Sequence, residues 1–255
     1  MRPQVHGIFD AIALLALAIG AHFRLRWHPA YTAHLLLDGL VTVIWAGMLT
    51  AWLPNLLNLF HSLLFSKTIP SGRWRAGLDN WLLAVAGAVF AGYLFLRRRN
   101  LPVLLVFDAF APLLAITLAV WRVGCAINAD SYGKVTDSWI AMWLPDVNGI
   151  YAWRYPTQYI SIVMNLLIAG ILLWFERISS QRWHKSERQP FYGFLFWIYV
   201  MLYCIQRFIF EFWRGDRTPI FEAFTIIHLY CAIGFLCAVA GLWLCMKKQL
   251  RTDVS

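Results

Sequence analysis

The residues of this chain best suited to chemistry lie in one stretch, residues 122–133. It follows directly on an apolar run, 101–121, that is long enough to cross a bilayer. Arg122, Asn128 and Asp130 place a guanidinium, an amide and a carboxylate within nine residues. An ordinary helix end needs only a capping group and a turn. The stretch therefore predicts a binding or catalytic site where a hydrophobic segment ends.

A second group of charged residues lies far along the chain, at Arg207, Glu211 and Arg214. On a helix these positions are spaced i, i+4 and i+7, which predicts that they share one face. A carboxylate between two guanidiniums holds both in place and leaves a net positive charge. An anion such as a phosphodiester binds well there, because each guanidinium offers it two parallel donors. The alternative is an interfacial Arg/Glu network without a ligand.

The composition is that of a membrane protein. The chain is 60% hydrophobic and 14% charged, with a mean hydropathy of +0.60, whereas a soluble domain is about half apolar and a quarter charged. The net charge of +9 then indicates basic loops near anionic lipid rather than nucleic-acid binding. The five cysteines match neither a disulfide framework nor a metal site, and no metal or cofactor is expected. Asp10 in the first apolar run predicts a retained helix rather than a cleaved signal peptide.

The elements that must position these residues are seven apolar runs, each near the length that crosses a bilayer. We predict an all-α membrane protein with about seven transmembrane helices. They would form a single bundle domain, residues 1–255, with polar loops on its outer face. Pro54 and Pro112 predict a kink or a break in the second and fourth helices. The predicted spans are 8–22, 35–59, 81–96, 101–121, 159–175, 191–210 and 224–245.

The basic residues indicate how the chain is oriented. Cytoplasmic loops are enriched in Lys and Arg close to helix ends. One set of short loops, together with the C-terminal tail, fits this description. It predicts an outer N-terminus, a cytoplasmic C-terminus and an outer position for both charged groups. The residues of this set are Arg24, Arg26, Arg97, Arg98, Arg99, Arg177, Arg182, Lys185, Arg188, Lys247, Lys248 and Arg251.

Three acidic residues lie inside predicted spans. A carboxylate at membrane depth costs about 2.5–3.5 kcal/mol on insertion scales, so it needs a partner, water or a proton. Asp10 and Asp38 lie about one turn from their helix starts, which favours a capping role. Asp108 lies deeper in its helix, and both a structural and a functional role stay open for it.

Several motifs occur here in the order found in one family of membrane enzymes. The chain contains Asp108-Ala109-Phe110-Ala111-Pro112-Leu113, Arg122-Val123-Gly124-Cys125-Ala126-Ile127-Asn128-Ala129-Asp130-Ser131-Tyr132-Gly133, Tyr155-Pro156-Thr157-Gln158 and Arg207-Phe208-Ile209-Phe210-Glu211-Phe212-Trp213-Arg214. In these motifs, and over nearly its whole length, the chain resembles the prolipoprotein diacylglyceryl transferases of bacterial inner membranes. At the last three places that family has Arg-Ile-Gly-Asn-Phe-Ile-Asn-Gly-Glu-x-x-Gly, His-Pro-Thr-Gln and Arg-Phe-x-x-Glu-Phe-x-Arg.

The chain also departs from that family's pattern. The family has a Ser-x-His-Gly-Gly stretch at the start of its third span, whereas no histidine occurs here between His61 and His184. Cys125 replaces the first asparagine of the signature, and Asp130 replaces its glutamate. Ser161 stands where the family has a glutamate after Pro-Thr-Gln. The resemblance is therefore to a divergent member that keeps the anion-binding residues and changes those that handle protons.

The resemblance implies an enzyme that moves a diacylglyceryl group from phosphatidylglycerol to the cysteine thiol of a lipoprotein signal peptide. The implied partners are phosphatidylglycerol, the prolipoprotein signal peptide and the lipid bilayer of the bacterial inner membrane. Arg122 and Arg207 are the implied catalytic residues, because they would stabilise the phosphate leaving group. The residues implied in substrate binding are Asn128, Asp130, Gly133, Gln158, Glu211 and Arg214.

The group that takes the thiol proton stays open. His6, Asp79 and Asp130 are candidates, although neighbouring arginines should lower the pKa of Asp130 and make it a poor base. Two other functions also stay open. One is a non-catalytic relative that binds anionic phospholipid or a lipoprotein precursor. The other is a transporter, which is disfavoured because the sequence has no repeated halves.

Overall fold

The computed structural model describes residues 3–26, 31–61, 81–186, 192–216, 221 and 223–252. The described residues form seven α-helices and one short β-hairpin, which confirms the prediction of an all-α membrane fold. The helices are α1 Pro3–Leu25, α2 Ala33–His61, α3 Trp81–Arg98, α4 Val103–Asn128, α5 Thr157–Ser186, α6 Phe194–Glu211 and α7 Ile226–Thr252; the strands are β1 Met142–Pro145 and β2 Tyr151–Arg154.

The helices carry the apolar surface expected of membrane spans. Within the described part of the chain, six of them (α1, α2, α4, α5, α6 and α7) have the length and composition to cross a bilayer. Many of their large apolar side chains face outward; Leu49 and Leu236, for example, are 61% and 67% exposed. A water-soluble monomer rarely exposes so much contiguous apolar surface. The protein is therefore a multi-pass membrane protein.

The described chain forms two compact units, residues 1–24 with 104–255 and residues 25–103. In the second unit α2 packs on α3 through small residues. A Cβ added at Gly87 would lie 2.2 Å from the Thr50 hydroxyl, and one at Gly47 would lie 3.1 Å from the Ala84 carbonyl. Small residues let membrane helices approach closely without a hydrophobic driving force. That all 255 residues form one domain stays a prediction.

The core of the first unit lies among α4, α5 and α6. Alanines of α4 pack there against larger side chains from the other two helices, again bringing backbones close together. Helix α4 continues through Pro112, so a break there is excluded, whereas a kink stays a prediction. Helix α2 likewise continues through Pro54. The buried members of the cluster are Ala111, Ala115, Ile168, Ala169, Leu172, Leu195 and Tyr199.

Asp108 has a structural role in this unit. Its Oδ2 accepts a hydrogen bond from the Gly193 backbone N–H at 2.6 Å, and its Oδ1 accepts one from Phe196 at 2.8 Å. Gly193 precedes α6 and adopts a φ of 98°. The first N–H groups of a helix have no partner within the helix, and a carboxylate also suits the positive end of its dipole. Asp108 of α4 therefore caps the start of α6.

The end of α4 differs from the sequence prediction. The apolar run stops at residue 121, but the helix continues to Asn128. At the end of α4, the Ala129 N–H donates to the Ala126 carbonyl and the Asp130 N–H donates to the Cys125 carbonyl, while Ala129 adopts a φ of 57°. This is the Schellman arrangement of helix ends. Arg122 therefore lies within the helix, and the turn comes nearly two turns later than predicted.

Candidate functional site

The two charged stretches of the sequence come together beyond the ends of α4 and α6. The Lys134 N–H donates to the Trp213 carbonyl at 2.8 Å, and the Gly215 N–H donates to the Tyr132 carbonyl at 2.9 Å. The loop after α4 also contacts the residues before α5, because the Tyr155 N–H donates to the Lys134 carbonyl at 3.1 Å. The loop after α4 is therefore held between the segments that follow α6 and precede α5.

Gly133 makes this close packing possible. It forms a backbone bridge with Arg214, and a Cβ at its position would lie 2.2 Å from the Tyr155 carbonyl oxygen. The backbone at Tyr155 cannot move aside as a flexible side chain could. Only glycine fits at this position, because it has no Cβ.

Arg122 of α4 and Arg207 of α6 line one small cavity. The cavity volume is about 10 Å³, close to the space that one water molecule needs. Arg207 is buried, whereas Arg122 is half-buried and its guanidinium carbon lies 5.0 Å from the centroid of the Trp121 ring. Other side chains of α5 and α6 complete the lining, among them Ser161, Asn165, Tyr203 and Gln206.

Arg207 is held by a chain of contacts that reaches α7. Its guanidinium lies 2.8 Å from Oε2 of Glu211, one turn later on α6. The other oxygen of that fully buried carboxylate accepts a hydrogen bond from the Thr225 hydroxyl at 2.9 Å. A buried ion pair persists only when further hydrogen bonds satisfy it. Thr225 and Glu211 therefore orient Arg207, and Arg122 adds a second positive charge at the cavity.

Arg214 does not lie on the helix face predicted for it. Helix α6 ends at Glu211, and the next residues form i to i−3 hydrogen bonds up to Arg214. The Arg214 guanidinium donates to Asp216, at 2.8 Å from its Nε, and to the Ser131 hydroxyl at 3.1 Å. Burial alone would lower the pKa of Arg214, but the hydrogen bond and charge of Asp216 raise it above the ordinary value. Arg214 therefore joins the loop after α6 to the loop after α4.

The Thr157-Gln158 pair at the start of α5 holds the same loop. The Thr157 hydroxyl donates to the Ser131 carbonyl, and the Gln158 amide donates to the Asp130 carbonyl, both at 2.9 Å. Both side chains are buried. Asn128, the last residue of α4, has a buried Oδ1 without a hydrogen-bond partner in the described part of the chain.

Five polar side chains of the site were not predicted from the sequence: Ser161, Asn165, Tyr203 and Gln206, which line the cavity, and Thr225, which donates to Glu211. One signal was present. Gln158, Ser161 and Asn165 are spaced by three and four residues, which puts three polar side chains on one face of an otherwise apolar helix. Polar residues within a span usually face protein or water rather than lipid. Gln206 has no comparable pattern around it.

The proposed proton acceptors are only partly described. Asp79 and the side chain of His6 lie outside the described residues. His228 of α7 is buried, and its Nδ1 accepts a hydrogen bond from the Thr225 backbone N–H at 3.0 Å. Its ring packs against Phe208, Phe212 and Phe224. His228 therefore completes the cap of α7.

Comparison with known proteins agrees with these motifs. Residues 2–244 match the sequence model of the family described as Prolipoprotein diacylglyceryl transferase. A Clostridium tetani protein is 27% identical over 218 residues, which cover 83% of this chain and 80% of the relative. A Parasynechococcus marenigrum protein is 31% identical over 71% of this chain and 68% of the relative. A Chlorobaculum tepidum protein is 28% identical over 66% of this chain and 54% of the relative. All three are named phosphatidylglycerol–prolipoprotein diacylglyceryl transferase.

Proposed function

The chain belongs to the prolipoprotein diacylglyceryl transferase family, and from this premise we propose that it is a membrane transferase with that activity. It would transfer the diacylglyceryl group of phosphatidylglycerol to the cysteine thiol of a prolipoprotein signal peptide. The sulfur forms a bond to the glyceryl carbon, and the bond from that carbon to the phosphate oxygen breaks. Glycerol phosphate leaves with the electron pair, and the thiol gives up its proton.

The observation that carries the proposal is the shared cavity of Arg122 and Arg207. Negative charge grows on the phosphate as the bond to carbon breaks. Preorganised cations that meet this charge lower the barrier, and an arginine can do so with two parallel hydrogen bonds. Glu211 and Thr225 support the preorganisation, because their contacts hold Arg207 before a substrate binds.

The same positive charge supports ionisation of the incoming thiol. A free cysteine has a pKa near 8.5, and neighbouring arginines lower the pKa of a thiol. A separate base would still speed the reaction by removing the proton. Asp130 lies in the loop beside the site, and we assign it to holding this loop, since its backbone carbonyl accepts the Gln158 hydrogen bond.

The remaining predicted site residues take supporting roles in this proposal. Gln158 and Arg214 hold the loop after α4 through the Asp130 carbonyl and the Ser131 hydroxyl. Gly133 allows the loop to pack against the backbone at Tyr155. The amide oxygen of Asn128 is left to accept a hydrogen bond from a substrate hydroxyl.

We further propose that the protein lies in the bacterial inner membrane, with the N-terminus outside and the C-terminus in the cytoplasm. The basic residues at the helix ends support this orientation. It places the arginine cavity toward the outer leaflet, where an outer-leaflet phospholipid and a signal-peptide cysteine both have access.

The direct test uses the purified protein, phosphatidylglycerol and a signal peptide with one cysteine. We expect the peptide mass to increase by one diacylglyceryl group, and the same peptide with serine in place of cysteine to stay unchanged. Binding of phosphatidylglycerol without a mass increase would overturn transferase activity and favour a non-catalytic lipid-binding relative. Absence of lipid binding would overturn both functions.

A further inference from the structure

The lining of the arginine cavity contains two hydrogen-bond acceptors that the protein leaves unused. Asn165 of α5 and Gln206 of α6 are 2% and 7% exposed, and both line the cavity with Arg122 and Arg207. Their amide oxygens, Oδ1 and Oε1, are buried and accept no hydrogen bond from the described residues. A buried polar atom without a partner costs about 1–3 kcal/mol. Such atoms therefore merit a functional explanation.

The orientation of Asn165 is set by its other amide atom. Its Nδ2 donates to the Ser161 carbonyl, one turn earlier on α5, at 2.7 Å. This contact fixes which end of the amide is nitrogen, so the unused atom is the oxygen. Ser161 and Asn165 both line the cavity. Asn165 thus offers an acceptor whose position does not depend on a ligand.

We propose that Asn165 and Gln206 form a hydroxyl-binding subsite that selects the headgroup of the phospholipid bound by Arg122 and Arg207. Guanidiniums can only donate hydrogen bonds, and amide oxygens can only accept them. A phosphodiester with headgroup hydroxyls satisfies both sets, because the phosphate accepts and the hydroxyls donate. This inference rests on the proposed function, since it assigns headgroup selection to the same cavity.

The charges of the cavity discriminate against another common headgroup. An ammonium group could also donate to the two amide oxygens. It would, however, lie beside two guanidiniums, and like charges a few ångströms apart repel each other strongly where little water is present. A neutral polyol avoids this repulsion. The chemical class that fits is therefore an anionic phosphodiester with a hydroxylated, uncharged headgroup.

The present cavity is smaller than such a headgroup. At about 10 Å³ it has room for roughly one water molecule. Binding must therefore displace a side chain, and the long, half-buried side chain of Arg122 has the rotamer freedom to move while Glu211 holds Arg207. Asn165 and Gln206 are shorter and lie on packed helices, so they keep their places and supply the selectivity.

The test compares two lipids that differ only in headgroup hydroxyls. Full-length protein in nanodiscs or detergent binds phosphatidylglycerol or phosphatidylmethanol, a phosphodiester of the same charge without hydroxyls. We expect the wild type to bind phosphatidylglycerol about three- to tenfold more tightly, as one or two buried hydrogen bonds would provide. Asn165→Leu and Gln206→Met keep the branching and length of each side chain and replace the amide with apolar atoms, and each should lower this ratio while leaving phosphatidylmethanol binding unchanged.

A matched control is available in α4. Thr117 also has a buried hydroxyl without a partner among the described residues, but it does not line the cavity. Thr117→Val therefore removes an unused polar atom elsewhere and should leave the ratio unchanged. Retained binding of phosphatidylmethanol shows that a variant is folded, so loss of folding cannot imitate the expected result.

The outcomes separate this inference from the proposed function. Equal wild-type affinity for the two lipids, with weaker binding of both after Arg122→Ala, would overturn the subsite and keep the phosphate site. That result would mean that water satisfies the two amide oxygens. A ratio unchanged in both amide variants would also overturn the subsite. If Arg122→Ala weakened neither lipid, the phosphate assignment itself would fail.

Discussion

The two ends of α6 both carry polar groups in an apolar bundle, yet they differ in what those groups have left to bind. At the start of the helix, each oxygen of Asp108 accepts a backbone hydrogen bond. Toward its end, Gln206 and Arg207 line a cavity with Arg122, and the oxygen of Gln206 has no partner in the described chain. A buried polar group with unused hydrogen-bonding capacity thus indicates a functional site where it also lines a cavity together with cations.

The largest expected effect tests the end of α6 where Arg207 lines the cavity with Arg122. We expect Arg122→Ala to lower kcat/KM for phosphatidylglycerol about 100-fold, as loss of a preorganised transition-state donor typically does. Arg207→Lys should act in the same direction, because lysine keeps the charge and loses the paired donors. Lysine is preferred to alanine here, since alanine would leave Glu211 buried without its partner. The mass-shift assay measures both variants.

Arg24→Ala is the matched control for these arginines. Arg24 pairs with Glu176 at 2.6 Å and does not line the cavity. A partly exposed ion pair contributes about 1 kcal/mol or less to stability, so kcat/KM should stay unchanged. Full activity in Arg122→Ala, or an equal loss in Arg24→Ala, would contradict the assignment.

The next effect concerns the loop that closes over this end of α6. Gly133→Ala places a Cβ 2.2 Å from the Tyr155 carbonyl oxygen, so the two backbones must separate. We expect activity to fall about tenfold or more, since small displacements of binding groups are costly. Gly170→Ala in α5 is the control, because a Cβ there meets nothing within 4 Å. Equal activity in both variants would show that the loop does not position the site.

A smaller effect tests the support of Arg207. Thr225→Val removes the hydroxyl that donates to Glu211 and keeps the side-chain shape. We expect kcat/KM to fall about three- to tenfold, the equivalent of one buried hydrogen bond. Thr225→Ser keeps the hydroxyl and should restore most of the activity. If valine lowered only the melting temperature and left kcat/KM intact, Thr225 would be structural alone.

The smallest effect on activity is expected at the opposite end of α6. Asp108→Leu removes both acceptors of the cap and should lower the free energy of unfolding by about 1–3 kcal/mol. Asp108→Asn keeps one acceptor and should cost less. The activity per folded molecule should be unchanged in both, as judged by thermal unfolding and kinetics on the same samples. A selective loss of kcat/KM in Asp108→Asn would show that the start of α6 also contributes to activity.

Sequence analysis succeeded where a local pattern is sufficient. The seven helices begin and end within a few residues of most predicted boundaries, because apolar runs of this length must form helices in a bilayer. Prediction from the sequence failed at helix ends that contact another part of the chain. The fourth helix passes residue 121, and the sixth stops before Arg214, whose backbone forms a bridge with Gly133 of the loop after α4.

The hairpin of β1 and β2 was also missed. Its strands are four residues each, too short for an alternating pattern to be recognised. At its end, the Arg154 guanidinium lies 3.2 Å from Asp146 and over the ring of Tyr132. Contacts of this kind join residues that no spacing rule connects.

The sequence by itself therefore determined the membrane class, the helices and the presence of arginines suited to a phosphate, because these depend on composition and local order. Only the tertiary structure decided which polar residues share a cavity. That outcome depends on how α4, α5 and α6 are rotated against one another, and the rotation is set by packing over the whole unit. Asn165 and Gln206 came to line the arginine cavity through that packing alone.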